Sequence, residues 1–440
     1  MRRLPPAAAL FLGYFIISAI GGLLLYLPPM HTGGVSFLDA LFTATSAVCV
    51  TGLIVVDTAT AWTFWGKLVI ALLIQIGGLG YMTLGAILFA AIGSKGSLHA
   101  RRMLAMSLGS STLSGILDVA RKVVLAAVLI EMVALVPLWI VFSLRYGPVV
   151  GFGHALFHSI SALNNAGFST FSNSLMDYAG NPVVNVVIVS LIVIGGIGFK
   201  VWRDVYHRVI GRVRRFDLHD RIVFMATAVL ILGGFVLFLI LEPSTQGKVW
   251  EALFAAVTPR TAGFNTVDYA SLSPFGKLLT TTLMFVGGSP GGTAGGVKTV
   301  TVFVILIWLI NTLRGRKNVS VFRRTIPQET VIKAFQTFIL AIAVLWVWVL
   351  LLSLTEREVI HSAGFMNFLF EVVSAFGTVG LSTGSLTKAN VSLVADFSVA
   401  GRILTMLAMI IGRAGYIVFA ASLIRMAPLP YRYAEEEVLV

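Results

Sequence analysis

The chain has 440 residues, 57% of them hydrophobic and 12% charged, with a mean hydropathy of +0.93. Soluble domains carry about 25% charged residues, so a soluble single core and intrinsic disorder are excluded, and Cys49, the one cysteine, excludes a disulfide scaffold. The 32 Lys and Arg against 19 Asp and Glu leave +13, which suits either a nucleic-acid partner or a membrane protein with a basic cytoplasmic face.

Apolar runs able to cross ~30 Å of hydrocarbon fall at 7–28, 63–92, 121–144, 183–202, 221–241, 275–313, 330–355 and 398–424. Arg2 and Arg3 ahead of the first run invite a signal-peptide reading. That run covers 21 residues, Ala7–Leu27, with no convincing small-x-small cleavage site after it, so a retained span is expected. Eight spans put both termini on one side of the membrane. The segments on that side hold 22 of the 32 Lys and Arg, which places both termini in the cytoplasm. Basic segments that alternate with apolar spans do not form a nucleic-acid stripe, and no nucleic-acid partner is expected.

The four outer connections repeat one pattern. They read Leu41-Phe42-TATSAVCVT-Gly52, Leu156-Phe157-HSISALNNA-Gly167, Leu253-Phe254-AAVTPRTA-Gly263 and Leu369-Phe370-EVVSAFGTV-Gly380. A bulky residue follows each glycine: Leu53, Phe168, Phe264 or Leu381. The glycines are 115, 96 and 117 residues apart, room for two spans each. The expected fold is an all-α polytopic membrane protein of four linked span–pore helix–span repeats around a pseudo-fourfold pore. Repeat 1 covers 1–98; 99–214 adds an interfacial helix to repeat 2; 215–325 and 326–440 are repeats 3 and 4. The short apolar stretches at 36–48, 152–163, 249–257 and 366–375 are too short to span and suit re-entrant helices. Glycine turns at membrane depth let carbonyl oxygens face one axis, where they can replace the hydration shell of a monovalent cation.

The run 275–313 carries GGSPGGTAGG at 287–296, which must break the helix near mid-membrane beside a watery cavity. Gly291 and Gly296 before Val297, Lys298 and Thr299 come close to a phosphate-binding loop, but Val297 shifts the lysine out of register and no strand precedes it. Arg413, inside the last span, needs a cavity, a partner or a snorkelling path to the interface. Glu131, inside the third span, calls for a partner on another helix. His154 and His158 have zinc-compatible spacing without a third ligand, so packing is preferred and no transition-metal site is expected. The runs 101–111 and 201–216 read as interfacial helices, against anionic lipid or a partner.

These motifs resemble the Trk/Ktr/HKT superfamily of potassium-translocating membrane subunits, most closely the membrane subunit of the bacterial Ktr system. The resemblance rests on SAVCVTGL, SALNNAGFST, VTPRTAGFNT and FGTVGLSTG at the four turns. IQIGGLG, VIGGIGF, GGSPGGTAGGVKT and IIGRAGY in the spans add to it. It implies a K⁺ filter at Gly52, Gly167, Gly263 and Gly380, with the carbonyls of Val50, Thr51, Asn165, Ala166, Thr261, Ala262, Thr378 and Val379 as ligands. Sodium-selective relatives carry serine at the first glycine, so Gly52 favours K⁺. The resemblance further implies a gate of Gly287, Gly288, Ser289, Gly291, Gly292, Thr293, Gly295 and Gly296, with Lys298 and Arg413 beside it. It implies a homodimer in a bacterial plasma membrane, controlled by a cytosolic ring of nucleotide-binding subunits that the tail at Glu435–Glu437 could touch. No organic cofactor is expected. A Na⁺- or H⁺-coupled symporter is the alternative, and a membrane enzyme or receptor the remote one.

Overall fold

The computed structural model describes residues 6–80, 116–212, 215–316 and 318–416. Long and short helices alternate along the chain. The first group is α1 (Pro6–Leu25), α2 (Phe37–Val48) and α3 (Phe64–Leu79); the second is α4 (Ile116–Tyr146), α5 (Pro148–Leu163) and α6 (Pro182–Ile197), followed by α7 (Phe199–Val209). The third is α8 (Leu218–Leu241), α9 (Val249–Val257) and α10 (Pro274–Phe285), with α11 (Thr299–Leu313) after a break. A two-stranded hairpin, β1 (Ser320–Val321) with β2 (Arg324–Thr325), leads to α12 (Gln328–Thr355), α13 (Arg357–Ala363), α14 (Phe365–Gly377) and α15 (Val399–Ala414).

Local signals start these helices where the sequence places them. Ser36 and Asp39 form a capping box on α2, and Asp217 and Asp220 form one on α8. Thr63, Asn181, Ser273 and Ser398 cap α3, α6, α10 and α15 through their side chains. Each of these four helices follows the loop that leaves one of the glycines Gly52, Gly167, Gly263 and Gly380, so the same element begins the same way four times. α5 starts at Pro148, earlier than the expected 152, because proline at the first helical position is already set for helix.

Among the described residues, α4 from Asp118, α8 and α12 are long and apolar enough to cross a membrane. Their outward residues are apolar, among them Leu125, Val133, Ile140, Leu232, Trp346 and Leu350. Polar residues such as Thr43, Ser46, Ser161, Thr258 and Ser374 are buried instead. This inverted distribution suits hydrocarbon outside and a polar interior. The repeated Phe42, Phe157, Phe254 and Phe370 are all buried, as are Leu53, Phe168, Phe264 and Leu381. They anchor each short helix and each turn in the protein interior.

Two expected spans are broken. The run 275–313 parts between Phe285 and Thr299, as its glycines require. The run expected as one span at 183–202 is two helices: α6 stops at Gly198 (φ +97) and α7 leaves at 104°. A Cβ at Gly198 would lie 2.6 Å from the carbonyl oxygen of Pro290, so backbone from the third group occupies the corner. α7 buries Phe199 and Val201 and exposes Arg203, Tyr206, Arg208 and Val209, and it ends at Val209, short of the interfacial helix expected over 201–216. Lys200 pairs with Asp204 within α7 (2.8 Å) and ties the helix to the start of α8 through Asp217 (2.6 Å) and Asp220 (3.1 Å). The second part of the run 63–92, the repeat boundary at 98/99, the run 101–111, the last span beyond 416 and the tail at Glu435–Glu437 lie outside the described residues.

Candidate functional site

The C-terminal ends of α2, α5, α9 and α14 converge. At each end a residue two before the glycine adopts a left-handed backbone: Val50 (φ +55), Asn165 (φ +56), Thr261 (φ +69) and Thr378 (φ +51). The glycines do so as well: Gly52 (φ +96), Gly167 (φ +70), Gly263 (φ +79) and Gly380 (φ +91). A β-branched residue in this region is strained, and such strain persists only where the surroundings enforce it. Three of the four copies pay that cost with Val or Thr, at the same step of the turn.

The turns close on one another in chain order. A Cβ built on Gly52 would lie 2.5 Å from the carbonyl oxygen of Ala166, and one on Gly167 would lie 2.7 Å from that of Ala262. One on Gly263 would collide with the Val379 carbonyl, and one on Gly380 with the Thr51 carbonyl. The four glycines therefore form a ring in which each faces the carbonyl of the residue before the next. Only glycine permits so close an approach of four backbones.

Hydroxyls behind the ring brace it. Thr51 N–H donates to Ser46 O, Ala166 N–H to Ser161 O and Val379 N–H to Ser374 O, each at 2.8 Å, and Ala262 N–H donates to Thr258 O at 2.9 Å. The side chains of Ser46 and Ser374 accept from Gly52 N–H (3.0 Å) and Gly380 N–H (3.1 Å). Those of Ser161 and Thr258 donate to Phe168 O (2.8 Å) and Phe264 O (2.5 Å). Sequence reasoning passed over these four residues. Their signal is nonetheless present, a hydroxyl six residues before the glycine in three copies and five in the shortened third.

The ring opens on one side into a cavity of about 450 Å³, lined by all four glycines and by loop residues including Asp57, Asp268 and Lys388. On the other side lies the loop between α10 and α11. Its Ser289 N–H donates to Gly196 O at 2.9 Å and its Thr293 N–H to Gly195 O at 3.2 Å. Gly291 O accepts from Phe199 N–H at 2.9 Å, and Gly288 O from Thr299 N–H at 3.0 Å. Gly295 and Gly296 lie against Gly377, and Gly295 also meets the Thr378 side chain, directly behind the fourth turn. Gly287 packs against Gly295 and Gly296, and Gly292 against Gly195, Gly196 and Gly198.

Arg413 joins this loop to the first group. Its guanidinium donates to Thr293 O, to Gly77 O (2.5 Å) and to Gly78 O (3.2 Å). Lys298 folds back to Ala294 O at 2.7 Å. Away from the ring, His158 is buried among aromatic rings, bonded to His154 O (2.8 Å) and to Ser169 Oγ (2.9 Å), a packing role. Cys49 is buried and free at the end of α2.

A mostly helical chain with apolar outward faces, a polar interior and four glycine turns that meet in one ring fits the class of membrane transport proteins. The model of a family described as TrkH, cation transport protein, matches residues 15–430, and the chain belongs to that family. It is 38% identical to the potassium/sodium uptake protein NtpJ of Enterococcus hirae, across 100% of this chain and 98% of that one. It is also 38% identical to the Ktr system potassium uptake protein B of Bacillus subtilis, across 99% and 97%. The crystal structure of the potassium transporter TrkH from Vibrio parahaemolyticus shares the fold, with a TM-score of 0.73 at 21% identity over 94% of this chain and 83% of that one. The family is one of transport proteins, and the enzyme reading falls with it.

Proposed function

We propose that this chain carries K⁺ across a bacterial plasma membrane, with the glycine ring as its selectivity filter. The observation that carries the reading is the ring itself: four glycines, each against the carbonyl that precedes the next, after the buried C-terminal ends of four short helices. A left-handed residue two before a left-handed glycine lets neighbouring carbonyls turn to one side, as dehydration of a cation requires. Helix C-termini aimed at the ring add partial negative charge. The names of the relatives support potassium as the ion.

In this reading eight spans and four re-entrant helices surround a pseudo-fourfold pore, with both termini in the cytoplasm. The oxygens of Val50, Thr51, Asn165, Ala166, Thr261, Ala262, Thr378 and Val379 line the ion path. The loop 287–296 lies across it as the gate, with Arg413 as the strut that holds it shut and Lys298 as a second positive charge. The protein works as a homodimer under a cytosolic nucleotide-binding ring; three relatives are named as lettered components of a Ktr system, which supports a second component.

The test is ⁸⁶Rb⁺ uptake into proteoliposomes under Na⁺ competition. Wild-type protein takes up Rb⁺ in preference to Na⁺, and Gly52→Ser erodes that preference; unchanged selectivity would remove the filter assignment. The word sodium in the name of one relative favours Na⁺ as a second or coupled ion. Saturable uptake that requires Na⁺ distinguishes that reading from an open conduit.

A further inference from the structure

Glu131 lies at the middle of α4, among apolar residues that face outward, and is 5% exposed. A carboxyl so placed is expensive and is kept where it does a task. Among the described residues, its two oxygens are met by carboxamides. Oε2 accepts from Gln75 Nε2 of α3 at 3.3 Å, and Oε1 accepts from Asn164 Nδ2 at 3.3 Å. Gln75 Oε1 at 2.8 Å and Ile160 O at 2.9 Å are nearer to Asn164 Nδ2, whose two N–H groups are thus shared among three acceptors, with Glu131 the most distant, in a triangle that joins three helices.

Asn164 is the residue at which α5 ends, immediately before Asn165 and the second turn of the ring. Three residues before the glycine, the other copies carry Cys49, Arg260 and Gly377. Among the four turns, only the second has a carboxamide at this place, so the ring departs from fourfold symmetry here. Asn164 also packs against Gly78, whose carbonyl receives Arg413, and the adjoining Gly77 packs against Val48 O at the end of α2. The end of α3 is thus held between the first and second turns and the strut of the proposed gate.

We propose that Glu131 is a positioning residue for the second filter turn: by holding Asn164 and Gln75 it fixes the end of α5 and sets how well the ring discriminates among cations. The proposal rests on the filter reading above. Its action runs through Asn164, the residue its carboxyl meets at the end of α5. A carboxylate accepts from both carboxamides at once, whereas a glutamine there has one acceptor oxygen and would turn an N–H toward one of the two donors.

The experiment is ⁸⁶Rb⁺ uptake in proteoliposomes, with KM, Vmax and Na⁺ inhibition recorded beside the Tm of the purified protein. Glu131→Gln is expected to keep Tm within a few degrees, raise the Rb⁺ KM several-fold and weaken discrimination against Na⁺ at least about threefold. Asn164→Ala gives the same phenotype, and the double variant is no worse than Asn164→Ala alone, because one residue acts through the other. Glu131→Leu goes further in the same direction; if it does not fold, the other two variants decide. A wild-type KM and wild-type discrimination in Glu131→Gln and Asn164→Ala, with only Tm or Vmax changed, would overturn the proposal. Gly52→Ser separates the two levels. If it shifts discrimination and Glu131→Gln does not, the positioning role alone is lost. If neither shifts it, the filter reading fails and takes this proposal with it.

Discussion

Gly167→Ala tests the ring most directly. The new methyl would meet three backbone atoms of the neighbouring turn: Ala262 O at 2.7 Å, Gly263 Cα at 2.8 Å and Gly263 C at 3.0 Å. None is the free end of a side chain, so none can swing away. The residue would also hold φ +70, at roughly 1–2 kcal/mol for an L-residue. Overpacking against fixed neighbours adds about 1–3 kcal/mol. Together these amount to roughly 2–5 kcal/mol, at least about a tenfold loss of intact ring. Gly247→Ala is the control, because Gly247 has nearly the same φ (+74) with nothing within 4 Å of its Cβ position. It carries the backbone cost without the collision. In ⁸⁶Rb⁺ uptake normalised to folded protein, Gly247→Ala is expected near wild type and Gly167→Ala at least about tenfold lower. Equal uptake by the two variants would refute the reasoning, since the ring would then not be the narrow point.

Three further outcomes follow from the same geometry. Arg413→Ala frees the carbonyls of Thr293, Gly77 and Gly78; each charged hydrogen bond is worth about 1.5–3 kcal/mol, so Rb⁺ flux without any regulator rises at least about tenfold, and unchanged flux would remove the strut. Ser46→Ala and Ser374→Ala leave the Gly52 and Gly380 N–H groups without their side-chain acceptors; an orphaned buried donor costs about 1–3 kcal/mol, which predicts a raised Rb⁺ KM, and a wild-type KM would show that the brace does not shape the ring. Glu242, after the end of α8, accepts from Ser273 Oγ at 2.5 Å and from Ser273 N–H at 3.2 Å, as Glu356 accepts from Ser398 in the fourth group. Burial works to raise its pKa, but the donors from Ser273 and Ser244 outweigh it and hold the carboxyl below its usual value. Its stabilisation is therefore complete above about pH 4.3 and is lost as pH falls through the lower folded value. Glu242→Gln is expected to lower Tm near pH 7 by a few degrees and to flatten the acid limb of the Tm profile, and an unaltered limb would count against it.

Much of this molecule is legible along the chain because its repeat is written in residue types. The Leu-Phe pair, the glycine and the bulky residue after it recur at nearly constant spacing, and the phenylalanine, the glycine and the bulky residue each have one physical reason: burial, a left-handed turn, burial again. Capping residues mark the helix starts, and six glycines with a proline mark the break before α11. These are local properties, readable wherever backbone conformation follows from side-chain chemistry.

What the tertiary structure decided is where these local pieces meet. Nothing in the order of residues says that Gly52 faces Ala166, or that Gly380 returns to Thr51 and closes the ring. The bend at Gly198 was hidden inside an apolar run, since the loop at Pro290 that occupies the corner arrives from about 90 residues away. Glu131 could be marked as needing a partner, but Gln75 and Asn164 come from different helices and have no spacing that links them. The hydroxyls behind the turns were visible as letters and silent as chemistry, because a hydroxyl brace has meaning only once the amide or carbonyl it meets has been turned toward it. Periodicity and turn chemistry are carried by neighbours in the chain; close backbone approach and polar pairing are carried by neighbours in space, and folding alone supplies those.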